Sequence, residues 1–244
     1  MSNVNFHLGG LQKSVEATMA QLRSSNVIER LWKKDHTIWR SEEIHRKSIL
    51  NRLGWLHSVD LMQQNIDELR HFAQEIRGAG FTHVVVLGMG GSSLCPDVCR
   101  ATFGSAKGFP LLLVLDSINP ASLQRIENSI SIRTTLFIVA SKSGGTTETN
   151  MFYKYFYEKV EELIKGDAGN NFVAITDANT QMEKIALEKT FRKIFLNPED
   201  IGGRYSALSY FGVVPMALIG MDVSKILENA SSMARSCAST VIKD

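Results

Sequence analysis

The chain has 244 residues, 44% hydrophobic and 21% charged, with a formal net charge of +2. That balance suits one well-buried core with extra helices, and nothing in it demands nucleic acid or an anionic membrane as partner. No run approaches the roughly 18 apolar residues of a membrane span, and no basic-then-apolar leader opens the chain, so a cytoplasmic protein is expected.

The first 80 residues carry helical periodicity. Leu11, Val15, Met19 and Leu22 mark one face, Ile28, Leu31 and Trp32 begin another, and Ile49, Leu50, Leu53 and Leu56 form a third stripe. A fourth runs through Ile66, Leu69, Phe72, Ala73 and Ile76 and stops at Gly78 and Gly80. From Thr82 the pattern changes to short apolar runs, His83–Leu87, Leu111–Leu115, Leu136–Ala140, Phe172–Thr176 and Lys193–Leu196. They read as strands buried on both faces. Helix-length stretches separate them, Met151 to Ile164 being the clearest, so the expected fold is α/β: a parallel, roughly five-stranded sheet between two helical layers. A last stripe, Val223 to Cys237, follows Asp222 as its cap. The expected divisions are a helical region at 1–80 packing on the core, an α/β domain at 81–220 and a C-terminal helix at 221–244. The three cysteines, Cys95, Cys99 and Cys237, lack metal spacing and read as reduced thiols, with Cys95 and Cys99 as small buried residues on one helix face.

Ligands of open parallel sheets bind beyond the carboxyl ends of the strands. After the first strand comes Gly88-Met89-Gly90-Gly91-Ser92-Ser93, where bare backbone can approach an anion at a helix N-terminus; a tight turn without a ligand explains it equally well. After the third come Ser141, Lys142, Ser143, Thr146 and Thr147, four hydroxyls and one ammonium at another helix start. One hydroxyl satisfies a cap, so four point to a phosphate. After the fifth, Glu199-Asp200-Ile201-Gly202-Gly203-Arg204-Tyr205-Ser206 offers an arginine either for an anion or for a surface salt bridge.

Together the three loops resemble the glucose-6-phosphate isomerase family: its G-x-G-G-S motif, its S-K-[ST]-x-[TG]-T-x-E-T motif and the G-G-R-[FY]-S core of its signature, in that order. Trp39 and Arg52-Leu53-Gly54-Trp55-Leu56 look like the isomerase half fused to transaldolase in some bacteria. The resemblance implies a sugar-isomerase α-β-α sandwich that binds glucose 6-phosphate and fructose 6-phosphate. Gly91, Ser92, Ser141, Lys142, Ser143 and Thr146 would lie at the phosphate. Gly203 and Arg204 would lie at the reacting end, the arginine stabilising an enediolate. It further implies no cofactor, no metal, and a homodimer for the complete enzyme. The family's catalytic glutamate, ring-opening histidine and late lysine belong to a second domain, while only 40 residues follow Arg204 here. The chain is therefore expected to represent the phosphate-binding first half, without the general base. His83 reads as packed, Glu148 as loop support and Glu228 as solvated surface. The Gly144-Gly145 pair departs from many family members and suggests a more mobile loop.

Two other readings stand beside it. A non-catalytic sugar-phosphate sensor would need no base, but neither would it need Gly-Gly-Arg-Tyr-Ser. A dinucleotide-binding enzyme fits Gly88, Gly90 and Asp116, but has Ser93 where that fingerprint wants Gly or Ala.

Overall fold

A computed structural model describes residues 6–238. They fall into two compact units, 6–50 with 232–238, and Asn51–Ser231.

In the first unit, α1 (Gln12–Ser24) and α2 (Val27–Trp32) are separated at Asn26, whose positive φ of 50° turns the chain between them. α3 spans Glu43–Leu50. Val15, Met19 and Leu22 do lie along α1, with Leu11 just before it, yet all four side chains remain exposed. Arg30 organises the turn after α2, donating to Asp35 (2.7 Å) and Thr37 (2.8 Å).

The second unit holds α4 (Ser58–Gln64), α5 (Ile66–Gly78), β1 (His83–Gly88), α6 (Gly91–Phe103), β2 (Leu111–Leu115) and α7 (Pro120–Ser129). It continues with β3 (Thr135–Ala140), α8 (Thr147–Ile164), β4 (Phe172–Asp177), α9 (Gln181–Glu188), β5 (Lys193–Asn197) and α10 (Tyr210–Leu218). α11 (Val223–Cys237) begins in this unit, with Asp222 accepting the Lys225 N–H at 3.1 Å as its cap.

The five strands are parallel, in the order β2-β1-β3-β4-β5. Alternate strand residues point to opposite faces and so build two cores. Val84, Val86, Leu136, Ile138, Val173 and Ile175 meet α4, α5, α6, α10 and α11 on one face. Val85, Leu87, Phe137, Val139, Phe172 and Ala174 meet α7, α8 and α9 on the other, where Phe137 stacks between Phe156 and Phe172. The result is the three-layer α-β-α sandwich.

Two sequence expectations change. Burial on both faces holds for β1, β3 and β4, but β2 and β5 are sheet edges, and Leu111 and Leu196 face outward at 57% and 43% exposure. The stripe from Ile49 to Leu56 is not one helix. α3 stops at Leu50, and a short 3-10 turn at Gly54–His57 carries Leu56 inward. Gly54 is a poor helix former, and its N–H leaves the local ladder to donate to the Asp200 carbonyl at 2.8 Å.

Candidate functional site

β1 and β3 are neighbours in the sheet, but their following connections run to opposite faces, through α6 and α8. The two loops therefore part at the carboxyl end and open a crevice between them. A cleft of about 530 Å³ occupies that end of the sheet. Gly91, Ser92, Lys142, Ser143, Thr146 and Gly203 all line it, so the structure gathers three separate sequence motifs at one place.

The first wall is the start of α6. Gly91 lies back to back with Gly203: a Cβ on Gly91 would come within 2.1 Å of the Gly203 carbonyl oxygen. Only glycine allows the first and third loops to meet this closely. Ser206 secures the junction, its Oγ donating to the carbonyls of Gly203 (2.8 Å) and Gly91 (3.2 Å). Gly90, at the N-cap position, has no side chain to cap the start of α6.

The second wall is the start of α8. Thr146 holds the N-cap position but makes no capping bond; its Oγ1 instead accepts from Ser141 Oγ at 3.1 Å. The hydroxyl cluster is therefore more than a helix cap. Ser141 itself is buried at 2% exposure and lies behind the cleft surface, so it acts on Thr146 and does not line the opening with those six. Ser143 Oγ accepts from the Gly145 N–H at 3.3 Å. Gly144 is wedged against α9, with φ at +65° and Thr180 Cβ 2.8 Å from where its own Cβ would stand. That packing gives a steric reason for the glycine, where mobility was the sequence expectation.

The third wall combines Glu199 of the third loop with residues outside all three loops, Asp177, Ala178 and Thr180, and Asn51 and Met89 complete the lining. Lys142 Nζ donates to the Asp177 carboxylate and to the main-chain carbonyl of Glu199, the latter at 2.6 Å. Burial raises the pKa of Asp177 against the opposing pull of Lys142. The loop after β4 could have been found from sequence, since Asp177 ends a strand of the same sheet. Nothing in the sequence marks Asn51.

Arg204 is exposed and outside the cleft lining, and its side chain makes no hydrogen bond or ion pair among the described residues. Its loop is braced from below by Gly54 on Asp200 and by Trp55 stacked on Tyr205. His83 sits at the opposite end of β1, half-buried, its Nδ1 3.0 Å from Thr82 Oγ1, with burial lowering its pKa. Glu148 lies in the first turn of α8 outside the lining, and Glu228 is exposed beside Lys225. Cys99 is buried and Cys95 half-buried, and burial pushes the Cys95 thiol up to about 12, which disfavours its thiolate. No group of three or more His, Cys, Asp or Glu side chains suited to a metal ion occurs among the described residues. No helix among them is long and apolar enough to cross a membrane.

Chemically, the first two walls suit an anion. Two helix N-termini without side-chain caps face one space, each carrying about half a positive charge, and Ser92, Ser143 and Thr146 add hydroxyls.

The chain is also similar to known proteins. The model of the phosphoglucose isomerase family matches residues 55–244. Glucose-6-phosphate isomerase of Nostoc punctiforme is 31% identical over 206 residues, covering 73% of this chain and 37% of that protein. The enzyme of that name from Carboxydothermus hydrogenoformans is 30% identical over 207 residues, covering 80% of this chain and 44% of that protein. The chain thus spans under half the length of these curated relatives. Among solved structures, a hypothetical protein of Thermus thermophilus superposes with a TM-score of 0.74 at 25% identity, covering 90% of this chain and 50% of that one. A glucose-6-phosphate isomerase from Chlamydia trachomatis superposes with a TM-score of 0.64 at 26% identity, covering 74% and 34%. With the five-stranded sandwich, the three loops on one cleft and a family model matched over most of its length, the chain belongs to the phosphoglucose isomerase family.

Proposed function

We propose that this chain binds the phosphate of glucose 6-phosphate and fructose 6-phosphate, and forms that half of an aldose–ketose isomerase site. The observation that carries the proposal is the meeting of Ser92, Ser143 and Thr146 with the starts of α6 and α8 on one cleft. A phosphate placed there is met by hydroxyls and main-chain N–H groups without a metal. The sugar then extends toward Gly203 and the third wall, where Arg204 would turn inward to stabilise the enediolate formed by loss of the C2 proton.

A base within hydrogen-bond reach of C2 is also required. His83 is at the far end of the sheet and Asp177 is engaged by Lys142. We assign the base to the part of the relatives' length that this chain does not span. Glu199, a carboxylate at the cleft, is the internal competitor.

Calorimetric titration with fructose 6-phosphate and with inorganic phosphate tests the binding half. Ser143→Ala/Thr146→Ala should weaken both by about tenfold or more, the loss of one or two charge-assisted hydrogen bonds. Unchanged affinity in that variant would remove the phosphate from this cleft. A coupled isomerase assay tests the base: turnover by the chain alone, abolished in Glu199→Gln, would overturn the assignment.

A further inference from the structure

We infer that Asp177 is a positioning residue that, by holding Lys142 across three strand ends, sets the phosphate loop and the Arg204 loop against each other. The inference rests on the sugar-phosphate reading above.

Lys142 follows β3, Asp177 ends β4, and Glu199 follows β5 on the way to Gly203 and Arg204. One ammonium group joins all three, through the Asp177 carboxylate and the Glu199 carbonyl. Asp177 engages the Lys142 residue a second time, its N–H donating to the Lys142 carbonyl at 3.1 Å. The phosphate loop is thereby fixed to the end of β4 by main chain and side chain together. Glu199 is held through its backbone, so the contact positions the third loop whatever the glutamate side chain does.

Stability alone does not account for this arrangement. Asp177 is only 9% exposed, and its second oxygen, Oδ1, is buried with no hydrogen-bond partner. A buried carboxylate satisfied on one side only is a costly way to stabilise a fold. What the pair supplies is geometry. An ammonium has three donors, and two of them are committed here, so Lys142 can offer the cleft one donor in a fixed direction. A free lysine would swing toward any anion. A held one fixes the Glu199–Arg204 segment relative to the phosphate loop.

Removing Asp177 therefore has opposite effects on two ligands. Inorganic phosphate loses a nearby negative charge and gains a freed ammonium, so its affinity holds or rises. Fructose 6-phosphate loses the register between its phosphate and its reacting end, so its affinity falls.

The experiment is calorimetric titration of the wild type, Asp177→Asn and Asp177→Ala with each ligand, with thermal melting to verify folding. The expected result is a fall in the ratio of fructose 6-phosphate to inorganic phosphate affinity, by about fivefold or more in Asp177→Ala and less in the isosteric Asp177→Asn. Phosphate affinity itself should be unchanged or tighter. An unchanged ratio, or parallel weakening of both ligands, would overturn the positioning role, because simple damage to the loop affects both alike. A wild type that binds neither ligand sinks the sugar-phosphate reading itself, an outcome read before any variant is made. Asp177→Asn covers the case in which the alanine variant fails to fold.

Discussion

Trp55 stacks on Tyr205, with ring centroids 5.6 Å apart and planes 21° from parallel. Tyr205 directly follows Arg204, so the indole is a platform under the loop that carries the arginine. An offset pair of this kind contributes about 0.5–1.5 kcal/mol beyond its area. Trp55→Ala should lower the melting temperature by a few degrees and weaken fructose 6-phosphate more than inorganic phosphate, while Trp55→Phe should retain most of both properties. Melting curves and paired titrations would check this. Equal loss for the two ligands would show that the platform does not act on the Arg204 loop.

Gly91→Ala should be damaging out of proportion to one methyl group. The new Cβ meets a backbone carbonyl at 2.1 Å, and neither partner can rotate away. The first and third loops must separate, at a cost of about 1–3 kcal/mol as for other overpacked sites. The expected outcome is a folded protein by circular dichroism, with a lowered melting temperature and about tenfold weaker fructose 6-phosphate binding.

Gly144 and Gly145 are adjacent but should respond differently to alanine. At Gly144 the φ of +65° and the approach of Thr180 and Met182 to within 3 Å both resist a side chain, together about 2 kcal/mol or more. At Gly145 nothing lies closer than 3.9 Å and φ is not positive, so alanine should be neutral or stabilise by about 0.5 kcal/mol through the unfolded chain. Chemical denaturation of the two variants distinguishes them directly.

Away from the cleft, Glu127 on α7 accepts from Lys159 Nζ and Tyr155 Oη of α8, each at 2.6 Å. Lys159 first, and Tyr155 next, hold its carboxyl below the ordinary range. A carboxylate lowered on folding stabilises fully above its unfolded value, near pH 4.3, and that contribution is lost as pH falls through the folded value. Both side chains are partly solvated, so the effect is under about 1 kcal/mol. Glu127→Gln should therefore lower the melting temperature slightly at pH 7, about 1–3 °C, and the difference from wild type should close below about pH 4. A gap that persists at pH 3 would assign the loss to packing instead.

The sheet was legible in the sequence because each strand is a short run of β-branched and aliphatic residues between glycine or polar breaks, and the bounds fall within a residue or two of those expected. Cleft residues were legible where they cluster in sequence, as Ser92, Lys142, Ser143, Thr146 and Gly203 do. What sequence could not separate was depth. Ser141 and Ser143 look alike in the motif, yet one is buried against Thr146 and the other opens on the cleft. Nor could it reveal partners far apart in the chain: Asp177 for Lys142, Asp200 for Gly54 and Tyr205 for Trp55 depend on the order in which strand ends are brought together. The expected helix through Leu56 failed for the same reason, since periodicity does not show a backbone N–H that is drawn off by a distant carbonyl.

The glycine contacts at 91 and 144 bear on how such a site can change over generations of substitution. Both are places where backbone touches backbone or a side-chain stem, so no substitution adjusts them by small steps: a residue other than glycine displaces a whole loop. Asn51 also lines the cleft, exposed and outside that frame. Drift toward another sugar phosphate would therefore be recorded at a position such as Asn51, while the two glycines stay unchanged.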